Sequence, residues 1–190
     1  MDKTEKLVAN EVNIKALKEA EKLNYVTHSL GGVAAGLVMV SAGNIIDPVQ
    51  QTTIMTGAIL GSLFPDIDHR QSWIAHKLPI AADVMAGLFK HRGAIHTPVF
   101  VLIVSIILGM LNWGWLHELN YLAAYFIQGF IPGMISHLIL DTLNVQGIMW
   151  LWPISTKRFH ILGIRTNSIM EAVVCLLLGA CLYGQYSTIF

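Results

Sequence analysis

Long apolar blocks alternate with short polar segments along most of this chain. The strong blocks cover residues 25–46, 49–64, 98–113, 121–143 and 169–189, and a weaker block at 78–89 is interrupted by Asp83. A helix needs about 20 apolar residues to cross roughly 30 Å of hydrocarbon, so the second block is short for a span. The pattern predicts an all-α polytopic membrane bundle of about five spans, with one in-plane helix at 78–89.

The first 24 residues differ from everything that follows. They are charged and helix-prone, and they lack the order of basic, apolar and small residues that marks a cleavable signal peptide. We therefore expect a retained surface helix over residues 1–24 and one membrane-embedded domain over 25–190. Of the whole chain, 54% is hydrophobic and 13% is charged, with a net charge of zero. This balance suits a membrane and indicates no nucleic-acid partner.

The basic residues lie on one side of the predicted bundle. If the five blocks alternate in direction, the segments before the first, between the second and third, and between the fourth and fifth share one face. All twelve Lys and Arg fall in these segments. Cytoplasmic loops carry such an excess. The distribution predicts a protein of the inner (cytoplasmic) membrane, with the N-terminus in the cytoplasm and the C-terminus outside.

Histidines and carboxylates gather at this same face, near the ends of the predicted spans. Those predicted to bind metal are His28, Asp66, Asp68, His69, His91, His96, His137 and Asp141. Polar side chains close to hydrocarbon are costly and usually mark function. Imidazole and carboxylate together suit zinc, manganese or iron. The sequence predicts a site for one to three such ions that faces the cytoplasm, with zinc as the expected metal.

Local patterns support several of these ligands. His137 and Asp141 are four residues apart on a predicted helix, so their side chains share one face. In the sequence "PDIDH", Pro65 ends the preceding helix and two carboxylates with an imidazole follow it. Each pattern also has a purely structural interpretation. His137 and Asp141 could form a hydrogen bond on a helix surface, and "PDIDH" could be an Asp-rich turn that caps a helix.

The segment "HRGAIHTP" leads into the third span. Thr97 and Pro98 are typical of an N-cap and a first helical turn, and Gly93 relieves the backbone of the preceding loop. A helix N-terminus and Arg92 both favour an anion such as a phosphate group. Arg92 is equally typical of a residue that anchors a helix at the membrane surface. Glu171, after "TNS", is a candidate catalytic carboxylate or a capping-box residue.

These motifs, taken in order, resemble the YdjM-like family of membrane-bound metal-dependent hydrolases, which has LexA-regulated members. The resemblance rests on "TH" at 27–28, "LFPDIDH" at 63–69, "HRGAIH" at 91–96, "SHLILD" at 136–141 and "WLWP" at 150–153. The family's third motif usually reads HRG-x-T-H-S, whereas Ile95 and Thr97 stand here at its Thr and Ser. The family is also similar, distantly, to the phospholipase C and P1 nuclease group, which implies clustered zinc ions and phosphoester hydrolysis.

We therefore expect a metal-dependent hydrolase that acts on a lipid phosphoester or another membrane-associated phosphoester. A metal-activated water would attack the substrate, Arg92 would hold the phosphate, and Glu171 or a corner aspartate such as Asp68 would be the general base. Two other functions fit the pattern. A metal-ion transporter would place ligands near the bilayer midplane, and a scaffold would use the metal only to hold its helices. The sequence leaves the oligomeric state open.

The charge distribution gives a direct prediction of orientation. A reporter that is active only in the cytoplasm should be silent when it is fused after Phe190 and active when it is fused to the N-terminus. An active reporter after Phe190 would reverse the predicted orientation of the final span.

Overall fold

The computed structural model describes residues 25–69, 72–88, 93–112, 121–164 and 168–189. The helix predicted over residues 1–24 lies outside the described residues. About 75% of the structure is helical, and the described ranges contain no strand. Two isolated β-bridges, Asn144 with Ile164 and Ile148 with Phe159, order the loop after the longest helix. The prediction of an all-α fold is confirmed.

The helices follow the apolar blocks closely. They are α1 (Tyr25–Ala42), α2 (Pro48–Leu63), a 3₁₀ helix (Phe64–Asp68), α3 (Trp73–Lys77), α4 (Pro79–Leu88), α5 (Pro98–Leu111), α6 (Tyr121–Leu143) and α7 (Ile169–Ile189). Local capping chemistry fixes two of the starts. Asp47, the N-cap of α2, accepts hydrogen bonds from the backbone N–H groups of Val49 and Gln50. The hydroxyl of Thr97, the N-cap of α5, accepts one from the backbone N–H of Phe100.

Two of the described helices, α1 and α6, are long and apolar enough to cross a membrane. The stretches Pro98–Leu111 and Ile169–Ala180 are apolar but shorter. Helix α2 has 16 residues and spans about 24 Å at 1.5 Å per residue. The membrane character of the bundle is therefore supported by two helices. The five-span topology and the in-plane placement of α4 stay predictions.

Helices α2 and α6 contact each other through their backbones. Each carries two glycines four residues apart, Gly57 and Gly61 on α2 and Gly129 and Gly133 on α6. A Cβ at any of these positions would overlap a backbone carbonyl oxygen of the facing helix. Such paired small residues let membrane helices approach until their main chains touch. The glycines thus set the distance between the two helices that hold most of the candidate site.

Helix α1 joins this pair through glycines of its own. A Cβ at Gly32 would lie 2.5 Å from the Ser62 hydroxyl oxygen and 2.7 Å from the Ala58 carbonyl oxygen, and one at Gly36 would lie 2.6 Å from the Met55 sulfur. Both contacts are with α2. Three helices therefore share one closely packed seam.

Two apolar clusters enclose the corner that follows α2. One contains Leu63, Ile67, Ile74, Ala75 and Ala82, and the other contains Ile95, Phe100, Val101, Met134, Leu138 and Ile148. The 3₁₀ helix lies between α2, α3, α4 and α6. Pro65 and Ile67 are buried in it, so the polar residues that alternate with them are held in a fixed position.

Replacement of Gly61 by Ala should weaken the α2–α6 contact, because its Cβ would overlap the Phe130 carbonyl oxygen. We expect a loss of about 1–3 kcal/mol, the usual cost of overpacking. Gly179→Ala is the matched control, since a Cβ at Gly179 meets nothing within 4 Å. Thermal unfolding in detergent should show a lower midpoint for Gly61→Ala only. Equal midpoints would mean that the close contact is not required.

Candidate metal centre

Five of the predicted ligands converge in the structure. They are His28 of α1, Asp66 of the 3₁₀ helix, His96 of the loop before α5, and His137 and Asp141 of α6. They form two groups of three that share His137, and the ligand atoms of each group lie within 4.8 Å of one another. Elements that are distant in sequence thus bring imidazole and carboxylate atoms to one end of the bundle.

His137 lies at the centre of the cluster and is fully buried. Its Nδ1 is 2.6 Å from the backbone carbonyl oxygen of Ser62 on α2. A carbonyl oxygen can only accept, so Nδ1 carries a proton, and in the neutral imidazole that binds a metal Nε2 presents its lone pair to the cluster. Nε2 is buried and has no hydrogen-bond partner in the described part of the chain. An imidazole oriented in this way by a backbone carbonyl is typical of a metal ligand.

The two carboxylates lie between the three histidines. For Asp141, Oδ1 is 3.4 Å from His28 Nε2, and Oδ2 is 3.3 Å from His137 Nε2 and 3.7 Å from His96 Nε2. For Asp66, Oδ1 is 3.5 Å from His96 Nε2 and 3.8 Å from His137 Nε2. Because the two oxygens of Asp141 face different histidines, this carboxylate could bridge two ions.

These separations fit a shared cation better than direct ion pairs. A charge-assisted N–H···O hydrogen bond is about 2.7–2.9 Å long, whereas the five N–O distances run from 3.3 to 3.8 Å. Ligand atoms about 2.0–2.2 Å from a tetrahedral ion stand about 3.3–3.6 Å apart. Mixed imidazole and carboxylate donors, together with the unpartnered His137 Nε2, fit a divalent transition metal such as zinc.

The electrostatics of the corner favour an ionised ligand. Burial acts to raise the pKa of Asp66, but the neighbouring histidines, His137 first, outweigh it and lower that pKa from 3.8 to about 2. Asp66 is therefore a carboxylate at neutral pH, the form that a metal requires. For Asp68 burial dominates, and its pKa lies above the ordinary value of 3.8.

Comparison with known proteins agrees with this arrangement of motifs. The family model described as "YdjM inner membrane protein" matches residues 23–189. The chain belongs to the YdjM family. It is 37% identical over 160 residues to the uncharacterized protein YvsG of Bacillus subtilis, covering 83% of this chain and 91% of that protein.

Two relatives from Escherichia coli are also named inner membrane proteins. The chain is 33% identical to YdjM over 66% of its own length and 62% of that protein. It is 26% identical to YbcI over 70% of its own length and 69% of that protein. No solved structure matches the chain. Membership of the YdjM family therefore supports a membrane location, and the predicted similarity to the phospholipase C and P1 nuclease group stays a prediction.

Two predicted ligands of the YdjM-like corner motif lie outside both groups. Asp68 is half-buried and His69 is exposed, and neither belongs to a ligand group among the described residues. The 3₁₀ helix is the reason. With three residues per turn, Asp66 and Asp68 point in directions about 120° apart. His69 follows the helix in an extended conformation. Of the polar residues in this corner, the structure thus brings Asp66 alone into a candidate ligand group.

The remaining predicted residues fall into two cases. His91 and Arg92 lie outside the described residues. Glu171 is 5% exposed and lies next to the cluster, where its carboxylate accepts a 2.9 Å hydrogen bond from the Thr27 hydroxyl of α1. Its backbone N–H also donates to the Ser168 hydroxyl at 3.3 Å, which is half of the capping box that the sequence suggested.

Sequence reasoning missed the residues that support the ligands. Ser62 holds His137 by its backbone, and the Asn144 side chain donates to Asp141 Oδ1 at 3.3 Å. A backbone acceptor leaves no trace in a sequence, but the glycine spacing of α2 and α6 was a signal that the two helices meet. Ile95, which departs from the usual family motif, is fully buried in an apolar cluster and packs the loop that carries His96.

His137→Gln should weaken metal binding by at least about 10-fold to 100-fold, because it removes the central ligand nitrogen of both groups. His76→Gln is the control, since His76 Nδ1 bonds to the backbone of its own segment at Ser72 and His76 lies outside both groups. Zinc or cobalt affinity should be measured by competition with a chelator in detergent. Equal affinities for the two variants would exclude His137 as a ligand.

Proposed function

We propose that this protein is a membrane-bound metal-dependent hydrolase that cleaves a phosphoester of a lipid or of another membrane-associated substrate. One observation carries the proposal. The buried, unpartnered His137 Nε2 faces two carboxylates and two further histidines at one end of a membrane bundle. Buried polar groups of this kind are expensive in a membrane and usually mark function.

In this proposal the five clustered side chains hold one or more divalent ions, and zinc is the preferred metal. A bound ion of this kind supplies Lewis acidity, which activates water near neutral pH and stabilises charge on a phosphoryl group. His137 is oriented by Ser62, and Asp141 is oriented by Asn144, so the ligands are positioned before a substrate arrives.

Asp68 is the proposed proton acceptor. It is the corner carboxylate that both ligand groups leave out, and it is half-buried rather than enclosed. Asp68 would receive a proton from an attacking water, and Asp66, two residues away, would help to hold the metal. Arg92 keeps its proposed role of holding the phosphate, because it precedes the N-terminal end of α5.

A lipid phosphoester suits the surroundings of the site. The cluster lies at the ends of α1 and α6, which among the described helices are both long and apolar enough to span a membrane. Apolar side chains of α5 and α7 such as Ile106, Met110 and Leu176 are exposed at the surface, as expected of helices in contact with lipid. We also propose that α2, α5 and α7 complete the five spans and that the site faces the cytoplasm.

The structural scaffold is the second candidate, and a specific observation favours it. Five ligand atoms from four separate parts of the chain exceed the four that a closed tetrahedral site needs. A metal held by all of them would tie α1, α6 and the corner together with no position for water. Hydrolysis and stability therefore have to be measured side by side.

Asp141→Asn separates these functions. The amide keeps the shape of the side chain but removes the charge that faces His28 and His137. Under the hydrolase proposal, metal affinity and phosphoester hydrolysis should fall together by about 10-fold or more while the helices stay folded. Asp47→Asn is the control, because Asp47 only caps α2 and Asn caps equally well.

The measurements are metal content, hydrolysis of phosphomonoester and phosphodiester lipids, and thermal unfolding of the two variants and the parent. A metal-loaded parent that hydrolyses none of these lipids, together with an Asp141→Asn variant that does not fold, would support the scaffold instead. A parent that binds no divalent metal would overturn both.

A further inference from the structure

A small cavity adjoins the cluster on the side of α7. Its polar lining consists of Thr27, His28, Asn144 and Glu171, and aliphatic side chains of α6 and α7 close it. The space is about the size of one water molecule. Because the lining includes a carboxylate, a carboxamide and an imidazole, the cavity offers the two to four polar partners that a buried water requires.

The ring of His28 lies between the cluster and this cavity. Its Nε2 is 3.4 Å from Asp141 Oδ1 and faces the cluster. Its Nδ1, on the other side of the ring, is buried without a hydrogen-bond partner among the residues the structure describes. His28 as a whole is 1% exposed. A buried ring nitrogen left unpaired costs free energy, so a partner for Nδ1 is expected.

Glu171 supplies the carboxyl group of the cavity. It is buried, it is held by the Thr27 hydroxyl at 2.9 Å, and Thr27 precedes His28 in the chain. The Asn144 amide group donates to Asp141, which leaves its carbonyl oxygen as an acceptor. The cavity therefore presents two acceptor groups, and the buried His28 Nδ1 lies at its wall as a donor.

We propose that Glu171 is a positioning residue for His28 and acts through one water molecule bound in this cavity. His28 Nδ1–H donates to the water, and the water donates to the Glu171 carboxylate and to the Asn144 carbonyl oxygen. This arrangement fixes the tautomer in which Nε2 is free to bind a metal. The inference rests on the metal site of the proposed function, and it assigns Glu171 a role other than that of general base.

The test compares two substitutions at Glu171. Glu171→Leu removes the carboxylate and should weaken cobalt binding by about 10-fold to 100-fold, the usual effect of losing a group that orients a metal ligand. Glu171→Gln keeps one acceptor oxygen and should recover part of this loss. Both keep the backbone N–H that bonds to Ser168, so the start of α7 is unchanged.

A second measurement needs no metal. Nitrogen-15 NMR of the His28 ring in metal-free parent protein should show a proton on Nδ1, and Glu171→Leu should shift the ring toward a mixture of tautomers. Ser168→Ala is the control, because it removes the hydroxyl that caps α7 and leaves the carboxylate in place. It should change neither cobalt affinity nor the His28 tautomer.

The outcomes separate this inference from the proposed function. A parent that binds no cobalt removes the metal site and the inference with it. A parent that binds cobalt, with Glu171 variants of equal affinity and an unchanged His28 tautomer, overturns the inference alone. A Ser168→Ala variant that loses as much affinity as Glu171→Leu also overturns it, since the helix start would then be responsible. If Glu171→Leu does not fold, Glu171→Gln and the tautomer of the parent still decide.

Discussion

The backbone contact between α2 and α6 is the constraint on which the rest of the structure depends. Four glycines remove the side chains that would separate the helices, so carbonyl oxygens of one helix lie against Cα atoms of the other. At the end of this contact the Ser62 carbonyl oxygen comes within 2.6 Å of His137 Nδ1. A wider separation would leave His137 without its acceptor, and the nitrogen that faces the carboxylates would no longer be fixed as a lone-pair donor.

The remaining ligands follow from this seam and from the corner beside it. Helix α1 packs on α2 through Gly32, which brings His28 to within 3.9 Å of the His137 ring, measured between ring centroids. Pro65 lies in the first turn of the 3₁₀ helix that follows α2, and the buried Ile67 anchors this helix, so Asp66 faces the cluster. His96 arrives by a separate route, because the buried Ile95 next to it is packed in the α5–α6 cluster. One seam and two apolar anchors, Ile67 and Ile95, thus account for all five side chains.

Burial gives the cluster its chemical character. Two carboxylates and three imidazoles in a largely buried space repel or attract one another strongly, and a divalent cation balances the negative charge better than water can. The supporting hydrogen bonds of Ser62 and Asn144 form the outer layer that well-ordered metal sites usually have. The description of the YdjM family gives a membrane location and names no activity. The function proposed for this chain therefore rests on the chemistry of this site.

The sequence by itself determined the all-α class, the helix start at Pro98, the helix end at Leu143, and the presence of histidines and carboxylates near helix ends. These features are local, since apolar block length and capping residues act within a few positions of the chain. Only the tertiary structure decided which polar residues meet. Asp66 was selected over Asp68 and His69 by the turn of a 3₁₀ helix, and Glu171 was placed behind His28 by a hydrogen bond to Thr27, 144 positions away in the chain. Such choices depend on distances between helices, and the glycine spacing in the sequence indicates only that α2 and α6 meet, not which side chains come together.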